Sequence, residues 1–127
     1  MFRVNEDRSI YVTRGDVLYF GVTAEDQNGD AYTFRPGDVV RFKVTAKKNC
    51  DKVVLQKTVE VETYTESVEI FLDGNDTKIG KVISKPVDYW YEIELNPDTC
   101  PQTTIGYDDE DGAKIFRLYP EGGDFDE

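Results

Sequence analysis

The chain has 127 residues, with 26 acidic and 15 basic side chains, a formal net charge of −11, 39% hydrophobic content and no histidine. That length suits one domain with a real core but not two, and so negative a field disfavours nucleic-acid and anionic-membrane partners. The missing imidazole removes the commonest general base, the commonest metal ligand and every Ser-His or Cys-His nucleophile arrangement.

The opening stretch, Met1 to Ser9, is polar and has no signal-peptide core, and no apolar run reaches the ~20 residues of a membrane helix. The expected location is the cytoplasm, or a larger assembly built there. Ser9 to Thr13 reads as a first strand, with Ile10 and Val12 on one side. Arg14-Gly15-Asp16 is a turn, and it also spells the integrin-binding tripeptide. Val17 to Ala24 follows, with Leu18, Phe20 and Val22 inward and Tyr19 outward. Gln27-Asn28-Gly29-Asp30 is a tight-turn signal, because Asn-Gly accepts positive φ. Tyr32 to Phe34 makes a short return strand, ended by Arg35-Pro36-Gly37-Asp38.

Val39 to Ala46 alternates cleanly, with Val40, Phe42, Val44 and Ala46 on one face and Arg41, Lys43 and Thr45 on the other. In Val53 to Val61, Lys57 shares a face with Val53, Leu55, Val59 and Val61. In Ser67 to Leu72, Val68, Ile70 and Leu72 alternate with Glu69 and Phe71. The polar segment Asp73 to Gly80 carries one helical turn near 75–80, capped by Asn75 or Asp76. Asp88 to Leu95 places Tyr89, Tyr91, Ile93 and Leu95 on one side and Asp88, Trp90, Glu92 and Glu94 on the other. Gln102 to Tyr107 and Ala113 to Tyr119 read as a closing hairpin across Asp108-Asp109-Glu110-Asp111-Gly112.

These elements predict an all-β fold, an antiparallel β-sandwich (immunoglobulin-like or jelly-roll-like) of about seven to nine strands. Residues 1–120 form the one domain, and 121–127 an acidic, flexible tail. Cys50 and Cys100 fall in loops of a chain without a secretory signal, so they read as free thiols rather than a disulfide. Because neither lies in a strand, an antibody-type bridge across the core is rejected.

Two acidic clusters, Asp73-Asn75-Asp76 and 108–111, lack the EF-hand spacing and read as solvated turns. No glycine-rich phosphate loop leads into a helix. No catalytic, cofactor or metal residues are assigned, and the expectation is a protein that is not an enzyme. Tyr19, Tyr32, Tyr64, Trp90 and Tyr107 offer stacking surface for a sugar.

Three blocks carry a family resemblance: Ile10-Tyr11-Val12-Thr13-Arg14-Gly15-Asp16, Gly37 to Val44, and Asp76-Thr77 followed by Tyr89-Trp90-Tyr91-Glu92-Ile93-Glu94-Leu95. Together they resemble the N-terminal β-sandwich domain of baseplate upper proteins from phages and prophages of Gram-positive bacteria. The resemblance implies a phage tail or baseplate structural (accessory) protein, assembled in the bacterial cytoplasm and carried in the virion. Its implied partners are other tail or baseplate proteins, or further copies of the chain, without nucleic acid or membrane. Phe71, Trp90 and Tyr19, each on the polar side of a strand, are the expected interface residues. The alternatives are a carbohydrate-binding module recognising cell-wall or host glycan through exposed aromatics, and an acidic inhibitor mimicking DNA.

Overall fold

A computed structural model of the chain describes residues 1–25, 28–47, 52–96, 102–105 and 114–122, with 102–105 described by backbone alone. Nine strands and no helix occur among them: β1 Phe2–Val4, β2 Ile10–Thr13, β3 Leu18–Val22, β4 Val39–Thr45, β5 Val53–Glu60, β6 Val68–Leu72, β7 Val87–Leu95, β8 Gln102–Ile105 and β9 Lys114–Tyr119. The all-β expectation holds. A wide sheet runs β1-β2-β9-β7-β4-β5, with β8 also beside β7, while a narrow sheet contains only β3 and β6.

The period-two pattern builds the core. Val40, Phe42 and Val44 of β4, Tyr91, Ile93 and Leu95 of β7, and Phe116 and Leu118 of β9 are buried beneath Leu18, Val22, Ile70 and Leu72 of the narrow sheet. Phe42 is the hub: its ring lies 5.5 Å from Phe20, 5.4 Å from Tyr91 and 6.1 Å from Phe116. The edge-on contact with Phe20 joins the two sheets, and the tilted contacts with Tyr91 and Phe116 run along the inner face of the wide sheet.

Several expectations need correction. The sandwich is not wholly antiparallel, because β2 and β9 run parallel, Ile10 opposite Phe116 and Val12 opposite Leu118. A parallel neighbour needs a long connection, and here nearly the whole chain lies between the two strands. Among the described residues β8 and β9 do not pair with each other as the expected closing hairpin would. Both β8 and β9 pair antiparallel with the same edge of β7, Leu95 opposite Gln102 and Ile93 opposite Ile105, then Tyr91 opposite Lys114. They are successive segments of one strand position, interrupted by residues outside the described set.

The expected strand at Tyr32 to Phe34 reduces to isolated bridges, Glu25 with Ala31 and Phe34 with Thr65. The polar N-terminus supplies an unexpected short strand, β1, antiparallel to β2. The tail expected to be loose from Glu121 is tied at its first residue, where Glu121 accepts a 3.0 Å bond from Arg14. Cys50, Cys100 and Tyr107, with the acidic residues 108–111, lie outside the described residues.

Candidate functional site on the outer face of the narrow sheet

Strands β3 and β6 turn one side to the core and the other to solvent. Their register sets Tyr19 opposite Phe71 and Gly21 opposite Glu69. Tyr19 is 52% exposed and Phe71 45%, so two large rings stand side by side on an open sheet face. Exposed Val17 precedes Tyr19. Phe2 extends the apolar surface, its ring centroid 4.9 Å from that of Tyr19 at an interplanar angle of 64°. The N-terminal ammonium, bonded to the Asp16 carboxylate, helps hold β1 in this position.

Gly21, beside the rings, makes room for the Ser67 hydroxyl. A Cβ there would come within 2.9 Å of the Ser67 hydroxyl, so a side chain would displace its neighbour.

Trp90 is not part of this group. It lies half-buried on the outer face of the wide sheet, between Thr45 on β4 and Ile115 on β9. That face is laced with charge pairs: Arg117 to Asp88 at 2.6 Å and Lys43 to Glu94 at 3.3 Å. The Arg117 and Arg3 guanidiniums also lie over the Tyr11 ring, at 5.0 and 5.1 Å. The hydrogen bond to Asp88 pushes the Arg117 pKa up.

The sequence motifs that looked chemical are structural clasps. Arg14 is buried, and it donates to the carbonyls of Ile79 (3.4 Å) and Gly80 (2.8 Å) as well as to Glu121. Buried Thr77 accepts from the Gly15 amide at 3.0 Å and donates to the Asp16 carbonyl at 2.8 Å. Arg14-Gly15-Asp16 is thus bolted to the 73–80 segment, and its arginine is not available for an integrin-type contact.

The expected helical turn near 75–80 is not a helix but a hydrogen-bonded turn over 74–77, and the residue that caps it is Asp73, not Asn75 or Asp76 as expected. Its Oδ1 accepts from the amides of Asn75 and Asp76, while Asp76 Oδ2 accepts from the Asp73 amide. This reciprocal cap engages the carboxylates of the first acidic cluster. No group of three or more metal-ligating side chains occurs among the described residues. Tyr91 donates its hydroxyl to the Arg8 carbonyl, and burial raises its pKa.

Tyr32 is partly buried against the core, whereas Tyr64 is 71% exposed at one end of the sandwich. Phe2 is the member of the candidate face that sequence reasoning missed. Its only signal was the alternation Phe2-Arg3-Val4, too short to distinguish from a polar terminus. No family model, no curated protein and no solved structure matches the chain.

Proposed function

We propose that this protein is a non-enzymatic structural component of a phage or prophage tail, and that it binds a neighbouring tail or baseplate protein through the outer face of β3 and β6. The observation that carries the contact is the exposed Tyr19–Phe71 pair with Phe2 beside it. Aromatic clusters of this kind dominate protein interfaces, and isolated exposed apolar residues do not.

The tail assignment rests on the resemblance of the three sequence blocks. An immunoglobulin-type arrangement is supported by the strand order, because β3-β6 facing β9-β7-β4-β5 corresponds to B-E facing G-F-C-C′. A flat sugar platform on the candidate face is disfavoured by the 64° angle between Phe2 and Tyr19, which presents an edge. DNA mimicry is disfavoured on the wide face, where Asp88 and Glu94 alternate with Arg117 and Lys43.

The test is immunogold electron microscopy of particles from an induced culture, using an antibody to the purified protein. Label at the tail tip is expected. Unlabelled particles with free protein in the lysate overturn the assignment.

A further inference from the structure

We infer that the loop end of the sandwich carries a binding cleft for a neutral saccharide, separate from the aromatic face. The cleft is a shallow depression open to solvent, with a volume of about 440 Å³, and is lined by Arg35, Pro36, Gly37, Asp38, Tyr64 and Asn96. Three connections meet there: the segment before β4, the one between β5 and β6, and the residue after β7. Convergent loops on a rigid sandwich commonly hold binding sites.

The frame of the cleft is fixed before any ligand arrives. The amide of Gly37 donates to the Val61 carbonyl at 2.9 Å, and the amide of Val61 to the Asp38 carbonyl at 2.8 Å. On the other side of Tyr64, Phe34 and Thr65 exchange backbone bonds of 2.7 and 3.1 Å. The backbone is therefore pinned on both sides of a tyrosine whose ring remains 71% exposed. Core packing does not explain that ring, and a stacking role does.

The polar floor is equally ordered. Buried Asp38 accepts from the Tyr32 hydroxyl (2.8 Å), the Arg35 amide (3.0 Å) and the Asn96 side-chain amide (3.2 Å). The Asn96 oxygen accepts from the Val39 amide at 2.8 Å, which fixes the orientation of the group. An amide side chain has a second N–H and a second lone pair, so Asn96, which lines the cleft, keeps one donor and one acceptor beyond these bonds. Exposed Arg35 adds guanidinium donors at the rim.

Charge selects the ligand class. A chain with net charge −11 repels anions, and within the cleft the Asp38 carboxylate and the Arg35 guanidinium offset each other, so no unpaired charge marks the site for an ion. A neutral, hydroxyl-rich ring with one apolar face matches what remains: Tyr64 for the C–H face, Arg35 and Asn96 for the hydroxyls.

The test is a glycan array of neutral hexose and N-acetylhexosamine oligosaccharides, probed with the wild-type chain and with Y64A, Y64W, R35A and F71S. At least one neutral glycan is expected to bind. Y64A should weaken it by about tenfold or more, equivalent to ~1.4 kcal/mol, and R35A should also weaken it. Y64W should retain binding, because the indole also stacks, and F71S should leave it unchanged. Amide shifts on titrating the bound glycan should map to 35, 37, 38, 64 and 96. The inference is overturned by an array without a neutral binder, by binding that survives Y64A, or by shifts centred on Tyr19 and Phe71. Loss of tail contact in F71S with glycan binding intact would leave the two sites independent, as expected here.

Discussion

The two outer faces of this sandwich are built by opposite rules. On the wide sheet, outward residues find partners on both flanking strands: Trp90 lies between Thr45 and Ile115, and Lys43 lies between Glu92 and Gln56. On the narrow sheet each strand has, among the described residues, a paired neighbour on one side only, so Tyr19 and Phe71 have each other, Phe2 beside Tyr19, and then solvent. The edges differ in the same sense. The long edge strand β5 points Lys57 inward, paired to Asp76 at 3.3 Å, which is a known device against edge-to-edge association. Strands β3 and β6 pair in unbroken register and carry no such inward charge. A sheet face that carries two large exposed rings in one cross-strand pair is where a partner is expected.

The largest expected effect falls on the element both faces share. Phe42→Ala removes the fully buried hub between the sheets, and a loss of about 3–5 kcal/mol is expected by denaturant unfolding. Both faces should lose function together, so this variant sets the baseline for unfolding rather than for contact.

Asp38→Ala comes next. It leaves the Tyr32 hydroxyl, the Arg35 amide and the Asn96 amide without their acceptor, at an expected cost of about 2–4 kcal/mol. The Asp38 carboxyl also gives a pH signature. Burial raises its pKa, but the Arg35, Tyr32 and Asn96 bonds outweigh burial and hold it below the usual carboxylate value. Its contribution is therefore full above the ordinary carboxylate range and is lost as pH falls through the lowered pKa. Acid titration of stability should be correspondingly shallower in Asp38→Asn.

Paired replacement of Tyr19 and Phe71 by serine separates stability from contact. The half-exposed cross-strand pair should cost only about 1 kcal/mol of folding free energy. Its effect on partner affinity should exceed that, tenfold or more in Kd, as hot-spot aromatics show. Equal losses in both measurements would reduce the pair to a structural role.

The smallest change in stability is expected for Lys57→Val, within about 1 kcal/mol because the lost ion pair is partly solvated. Sedimentation should nevertheless show new self-association, through the β5 edge that Lys57 protects. A variant that stays monomeric would remove the contrast between defended and open edges.

Alternation made much of this legible in the sequence. Val68 to Leu72 has the expected in-out pattern residue for residue, and Tyr19 and Phe71 were placed on the solvent side for the same reason. Strand pairing was not legible, because period two says which way a side chain faces and not which strand lies beside it. The adjacency of Tyr19 and Phe71 therefore emerged only in the fold. Trp90 shares their pattern but is half-buried, since its strand has neighbours on both sides. The supposed closing hairpin failed for a related reason: two strand-like runs around a turn-like segment fit a hairpin and an interrupted strand equally well. The Asp73 cap was missed because Asp, Asn and Asp all suit an N-cap, and only the backbone bonds choose among them.

The most direct test of the open face is site-specific photocrosslinking in assembled particles. A benzoylphenylalanine replacing Phe71, and another replacing outward-facing Thr58 on β5, would be irradiated and the products identified by mass spectrometry. A discrete crosslink to one tail protein from position 71, and none from position 58, is the expected result. Crosslinks from position 58 alone would contradict it and move the interface to the wide sheet.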